Sequence, residues 1–208
     1  VDNQDKNHWV KGFAGSGKTI VLTHVLERLA SARPAVKVCF ATYAHALKDL
    51  VESDPNNGVA LLMYGEMLYR SGKVDEGKKY LHKGILAEGP SLDQKMNILI
   101  MLVNENKQAA PDPKLEPLVQ YMTQTFPNEA KAHSIAGDYY YVAGQPNAAI
   151  NNYRQTLRCD PNLYPVWNQV LILEFEQGRW SDLQKDASAC AELFPSQALP
   201  FFFNGLTL

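Results

Sequence analysis

The residues best suited to chemistry lie near the start of the chain, in the run Gly12-Phe-Ala-Gly-Ser-Gly-Lys-Thr19. This run matches the pattern G-x-x-x-x-G-K-[ST], in which glycines let backbone N–H groups curl around phosphate oxygens. The lysine of the pattern reaches the β and γ oxygens, and the hydroxyl holds Mg²⁺. The pattern therefore predicts binding of ATP with Mg²⁺, with Thr19 as the metal ligand. The predicted nucleotide-binding residues are Gly12, Gly15, Ser16, Gly17, Lys18 and Thr19.

A phosphate-binding loop normally joins a strand to a helix, and the flanking sequence agrees with that arrangement. Residues 8–12 can form the strand, and residues 19–32 carry apolar side chains at helical spacing. Alternating apolar residues over 36–42 then predict a second strand, followed by a helix over 43–50. These elements predict that residues 1–53 form an incomplete βαβ-like segment.

This segment resembles motifs I and Ia of superfamily 1 helicases of the UvrD/Rep type, over about residues 8–52. The resemblance rests on the loop G-x-A-G-S-G-K-T and on a strand that ends in Thr42 before an Ala-rich helix. It implies that Lys18 and Thr19 serve ATP and Mg²⁺, and that Thr42 and Tyr43 lie near single-stranded nucleic acid.

The chain has no apolar strand ending in Asp-Glu and no later helicase motif, although phosphoryl transfer needs a fully positioned metal and water. An enzyme is therefore not the favoured interpretation, and a fragment of an ATP-dependent helicase or translocase is the alternative. Nucleic acid is expected to bind, if at all, only through this helicase-like segment.

The rest of the chain repeats with a period of 34 residues, the spacing between Pro127, Pro161 and Pro195. Position 1 of each repeat is defined as the third residue after the proline. Small residues at positions 8 and 20 let two helices approach closely, while large residues at positions 4, 11 and 24 fill the space between them. In residues 130–163 the small residues are Gly137 and Ala149. The large residues are His133, Tyr140 and Tyr153. Residues 164–197 match more loosely, with Glu174 at position 11.

This pattern resembles the tetratricopeptide repeat (TPR) over about residues 54–208, with repeats near 58–91, 92–129, 130–163 and 164–197 and a partial repeat at 198–208. The resemblance implies an all-α solenoid of antiparallel helix pairs, in which neighbouring pairs bury each other's apolar faces. The preceding phosphate-loop segment is βαβ-like or, as an alternative, a helical cap. In that alternative, residues 19–32 and 43–53 form the two helices of a leading pseudo-repeat.

The TPR resemblance also implies a protein-interaction scaffold that holds a protein or peptide segment in a concave groove. Positions 2, 5, 9, 12 and 13 of each first helix are expected to face that groove. The predicted groove residues are Leu62, Glu66, Tyr69, Arg70, Lys131, Asp138, Tyr141, Asn168, Ile172 and Phe175. Their mixed apolar, aromatic and acidic character favours an amphipathic or basic peptide, and Tyr69, Tyr141 and Phe175 at position 12 predict an aromatic ladder.

The composition of the chain adds little to these predictions. The chain of 208 residues is 46% hydrophobic and 20% charged, with a formal net charge of −2, so no global charge calls for nucleic acid or a membrane surface. No apolar run approaches the roughly 18 residues of a membrane span. The start of the chain lacks a signal-peptide pattern, and the cysteines show no disulfide framework, which together predict a cytoplasmic location.

Overall fold

A computed structural model describes residues 37–105 and 112–207 of the chain, which divides into two compact units, Val1–Ser53 and Asp54–Leu208. The described part of the first unit is one helix, α1 (Lys37–Ser53), in which Leu47 and Val51 are buried. The predicted phosphate-binding loop, the strand before it and the helix after it fall in residues 1–36, outside the described residues.

The strand predicted over residues 36–42 is wrong, because residues 37–42 belong to α1. The alternation of β-branched and aromatic residues favoured a strand, but a strand needs a partner strand to satisfy its backbone N–H and C=O groups. A helix satisfies these groups within itself. The apolar residues at 40, 47 and 51 also recur at helical spacing. Both alternatives for this segment place a helix after residue 42, so the helix over residues 43–53 agrees with each of them, and only the second strand of the βαβ-like alternative is removed.

The second unit consists of helices, and most of them pack against the next helix along the chain. Its helices are α2 (Gly58–Arg70), α3 (Val74–Leu86), α4 (Leu92–Glu105), α5 (Glu116–Thr125), α6 (Ala130–Val142), α7 (Pro146–Cys159), α8 (Tyr164–Glu176), α9 (Trp180–Leu193) and α10 (Ala198–Thr207). A 3₁₀ turn at Pro113–Leu115 precedes α5. The predicted TPR solenoid of helix pairs is confirmed. Across residues 37–105 and 112–207, no helix has both the length and the apolar character needed to cross a membrane.

Two features recur at the predicted repeat positions. Gly72, Gly144 and Gly178, all at position 15, have φ values of 89°, 67° and 65° in the turn between paired helices. A residue with a β-carbon would be strained there, so glycine is the residue that the turn requires. At position 4, His133 Nε2 and Trp167 Nε1 each donate to the carbonyl of the proline six residues earlier, both at 2.9 Å. These bonds fix each first helix against the turn that precedes it.

Close approach of the paired helices depends on the small residue at position 8. A β-carbon added at Gly137 would overlap the ring of Tyr153, and one added at Gly65 would lie 2.8 Å from the backbone nitrogen of Leu81. The Tyr153 hydroxyl on α7 donates a hydrogen bond to Asp138 Oδ1 on α6, at 2.8 Å. Burial, together with the Asp138 carboxylate, holds the pKa of Tyr153 well above its usual range.

Candidate peptide-binding groove

A cavity of about 470 Å³ opens at the N-terminal ends of α4, α6 and α8, the first helices of three successive repeats. It is lined by Leu92, Asp93, Met96, Glu129, Ala130, Lys131, Ser134, Asp160, Leu163, Pro165 and Val166. Lys131 and Ser134 occupy positions 2 and 5 of their repeat, two of the positions expected to face the groove. First helices line the concave face of a solenoid, so this cavity is the described space best placed to receive a peptide.

The cavity combines an apolar wall with a predominantly acidic rim. Met96 is buried beneath it, and Leu163 and Val166 are partly buried. Three carboxylates, on Asp93, Glu129 and Asp160, face one ammonium group, that of Lys131. Lys131 Nζ lies 3.7 Å from Asp93 Oδ1, but both side chains are largely exposed, so this ion pair contributes little to stability. The arrangement suits an apolar side chain flanked by positive charge.

Helix stability offers a second reason for acidic residues at these places. Asp93 lies in the first turn of α4 and Glu129 is the N-cap residue of α6, whereas Asp160 is the C-cap residue of α7 and accepts a hydrogen bond from the backbone N–H of Asn162. Negative charge is favourable near the positive end of a helix dipole. Asp93 and Glu129 therefore also stabilise the two helices that begin beside them.

The structure distributes the predicted groove residues over several environments. Leu62 is 4% exposed and packs against the backbone of Gly84, so its side chain offers no surface to a partner. The reason is that the pair α2 and α3 approach closely at Gly84, which leaves Leu62 enclosed between them. Glu66 and Arg70 form an exposed pair four residues apart, with Arg70 Nη2 2.7 Å from Glu66 Oε1. The carboxylate of Asp138 accepts a hydrogen bond from the Tyr153 hydroxyl of the same repeat.

The position 12 aromatics also differ from one another. Tyr69 is partly buried, and burial, reinforced by a hydrogen bond to Glu105, raises the pKa of Tyr69 to about 12. Tyr141 is 50% exposed. Phe175 is 41% exposed, and its ring centroid lies 5.7 Å from that of Trp180 and 5.5 Å from that of Phe203. Tyr141 is thus the position 12 aromatic with the most side-chain surface open to a partner.

The two remaining predicted residues lie on α8. Ile172 is 38% exposed. Asn168 at position 5 is partly buried, and its buried Oδ1 atom has no hydrogen-bond donor among the described residues. The amide therefore marks a polar position on this helix.

A charged cluster that the repeat pattern did not predict lies between the last two full repeats. Glu174, at a position where the repeat calls for an aromatic residue, is completely buried. Arg154 Nη2 lies 2.6 Å from Glu174 Oε1 and 2.9 Å from Asp186 Oδ2, and Arg179 Nη2 lies 2.6 Å from Asp182 Oδ2. The sequence did contain a signal for this cluster, namely an acidic residue at a core position of the repeat. A buried carboxylate requires a charged or hydrogen-bonding partner.

Charge balance explains the protonation of this cluster. Burial, with a further contribution from the Asp186 carboxylate, raises the pKa of Glu174 to about 8, although Arg154 opposes the shift. The arginines Arg154 and Arg179 are balanced by Asp182 and Asp186, so a third anion would be uncompensated. This balance favours the neutral form of the Glu174 carboxyl, which accepts a hydrogen bond from Arg154.

Comparison with known proteins supports the fold. No protein-family model matches the chain, and no curated protein matches it. MamA from Desulfovibrio magneticus RS-1, from its residue 41 to its end, is 14% identical with a TM-score of 0.53, over 88% of this chain and 99% of that chain. Another crystal structure of MamA is 19% identical with a TM-score of 0.55, over 91% and 99% of the two chains. At these identities the likeness shows a TPR-like helical fold and nothing further.

Proposed function

We propose that residues 54–208 form a protein-interaction scaffold that holds a protein or peptide segment along α4, α6 and α8. The observation that carries the proposal is the cavity at the N-terminal ends of these three helices, with its apolar wall and acidic rim. Solenoids of helix pairs use the face lined by first helices for binding, and TPR proteins generally bind protein partners.

The chemistry of the cavity favours a basic and apolar segment. Burial of an apolar side chain against Met96, Leu163 and Val166 would supply most of the affinity. Lysine or arginine residues on either side of it would meet Asp93, Glu129 and Asp160, which speeds association and rejects acidic segments. A free acidic terminus would face net negative charge at this rim.

The experiment is selection of binders to the full chain from a displayed library of random 12-residue peptides. We expect enriched peptides to combine lysine or arginine with large apolar residues. Binding of the selected peptides should weaken at least about tenfold, or ~1.4 kcal/mol, when Asp93 and Glu129 are both changed to lysine. The matched control changes Asp75 and Glu192 to lysine, since both are exposed carboxylates outside the cavity. Equal weakening by both double variants, or enrichment of acidic peptides, would contradict this site.

A nucleotide-binding role for residues 12–19 stays a prediction, based on the complete match to the phosphate-loop pattern. Mg-ATP at several times its dissociation constant should stabilise the chain by about 1 kcal/mol through ligand linkage. Lys18→Ala should abolish this shift in melting temperature, and the same pair of proteins should be compared for ATP turnover. The absence of any shift at millimolar Mg-ATP would count against the prediction.

The helicase alternative receives no support from the described residues. Its second motif required a strand ending in Thr42, and residues 37–42 are helical instead. Loss of that strand leaves only the glycine-rich loop from the original resemblance.

A further inference from the structure

The cavity lies at one end of a longer surface that α4, α6 and α8 share. Residues spaced three, four and three apart lie within an arc of about 80° around a helix, so they form one stripe along it. The cavity-lining residues Asp93, Lys131 and Pro165 each begin such a stripe. The stripes are Asp93, Met96, Ile100 and Val103 on α4, Lys131, Ser134, Asp138 and Tyr141 on α6, and Pro165, Asn168, Ile172 and Phe175 on α8. All three stripes lead from the acidic cavity toward the C-terminal ends of their helices.

The far end of this surface is apolar and exposed. Ile100, Tyr141 and Ile172 are exposed and belong to three different first helices, and Phe175 adds a fourth exposed side chain on α8. These four residues form the apolar band. The second helices α5 and α7, both described in full, carry no exposed large hydrophobic residue. Exposed apolar residues aligned over successive repeats are typical of an interface.

The two ends of the surface differ in charge. Three carboxylates and one ammonium group line the cavity end. On the stripes beyond the cavity, the charged residue is Asp138, and its carboxylate accepts a hydrogen bond from the Tyr153 hydroxyl. A partner that matches both ends therefore carries basic residues at one end and large apolar residues at the other.

A helix is the form of partner that this surface suits. Within α6 and α8, backbone N–H and C=O groups bond to each other, so they offer few hydrogen bonds to an extended chain. A helical partner satisfies its own backbone groups and binds through side chains laid into a groove. At a rise of about 1.5 Å per residue, Phe175 lies about 15 Å from Pro165 along α8, and a partner helix spans that distance with about ten residues.

We propose that the partner segment is an amphipathic helix of about ten to twelve residues that lies along this surface. This inference rests on the proposed function and specifies the form of the partner. At one end of the helix, lysine or arginine residues flank the apolar side chain that enters the cavity. Large apolar residues follow at helical spacing and contact the apolar band. The site thus has two anchors, the acidic cavity and the apolar band, and one helix reaches both.

The probe is a synthetic peptide of about 14 residues with lysines on both sides of a leucine at one end, further leucines at helical spacing and glutamines elsewhere. Fluorescence anisotropy of the labelled peptide with the full chain measures its dissociation constant. We expect Tyr141→Ser combined with Ile172→Ser to raise that constant by at least about tenfold, with the fold of the variant checked by circular dichroism. The matched control combines Leu86→Ser with Leu193→Ser, since both are exposed apolar residues of second helices, and should leave the constant unchanged.

Two altered peptides separate the anchors and test the helical form. A peptide that keeps only the basic end should bind more weakly when Asp93 and Glu129 are both changed to lysine. The same short peptide should bind the Tyr141→Ser, Ile172→Ser variant as well as it binds the unchanged chain. Proline in place of a central glutamine breaks the helix, so it should raise the dissociation constant of the full peptide by at least about tenfold.

The outcomes distinguish this inference from the proposed function. A full peptide that does not bind, that binds the Tyr141→Ser, Ile172→Ser variant unchanged or that tolerates the central proline would overturn the helical partner and leave the proposed function standing. If the double variant of Asp93 and Glu129 binds both peptides as well as the unchanged chain does, the proposed function fails and the inference fails with it.

Discussion

The repeats 130–163 and 164–197 use one register with opposite distributions of side-chain volume. At position 8 the first has Gly137 and the second Leu171, while at position 24 the first has Tyr153 and the second Ala187. All four residues are buried. The comparison teaches that the register fixes the total volume between paired helices, and that either helix can supply it.

Position 11 shows a second difference between these repeats. The Tyr140 hydroxyl lies 3.5 Å from Glu116 Oε1, and Glu174 receives a 2.6 Å hydrogen bond from Arg154. In both cases the partner belongs to the second helix of the preceding repeat. The same position therefore links neighbouring repeats, once through a partly exposed neutral donor and once through a buried acid in a charged cluster.

Exchanging large and small side chains between positions 8 and 24 is expected to have the largest effect on stability. Gly137→Leu should destabilise the chain by about 3 kcal/mol or more, since the new side chain overlaps the Tyr153 ring. Adding Tyr153→Ala recreates the leucine and alanine pair of the other repeat. The double variant should therefore be more stable than the two single losses predict, by at least about 1 kcal/mol.

Denaturant unfolding measures this coupling, and Gly205→Leu is the matched control because its position 8 is open. Strict additivity of the two changes would show that volume is not exchanged between these positions.

The Glu174 cluster should give a smaller effect that depends on pH. The folded chain holds the Glu174 proton with a pKa of about 8, above the value near 4.5 of an unperturbed glutamate. The stabilisation from the neutral carboxyl is thus fully present below about pH 4.5 and is lost as pH rises to about 8. Since a difference of one bound proton changes stability by about 1.4 kcal/mol per pH unit, we expect a loss of at least about 2 kcal/mol over that interval.

Glu174→Gln keeps a neutral acceptor for Arg154 and should remove most of this slope. Thermal unfolding from pH 5 to about pH 9 compares the two proteins. An identical slope in both would place the titration elsewhere.

The smallest effect on folding is expected at position 12, where Tyr141 and Phe175 differ in their contacts. Tyr141→Ala should weaken binding of a selected peptide by ~1–3 kcal/mol, in the range of interface hot spots, with little change in melting temperature. Phe175→Ala should lower stability by about 1 kcal/mol, because Phe175 packs on Trp180 and Phe203. Titration calorimetry and thermal unfolding measure both variants. If Tyr141→Ala lowers stability sharply and leaves binding intact, the helix register is wrong by one residue.

The sequence by itself determined the repeat architecture of residues 54–208. A 34-residue period, glycine at position 15 and proline after each second helix are local signals, and they act through backbone geometry that does not depend on distant residues. For the same reason the positive φ of Gly72, Gly144 and Gly178 could be predicted.

Only the tertiary structure decided the features that depend on neighbours. The run 36–42 has strand-like alternation, yet residues 37–42 are helical, because a helix satisfies its backbone N–H and C=O groups within itself. Leu62 occupies a groove position but is enclosed at the close approach to Gly84. The raised pKa of Glu174 follows from burial and from two aspartates on the next helix, against the opposing charge of an arginine twenty residues away. Burial and charge balance are sums over residues distant in sequence, so a periodic pattern cannot specify them.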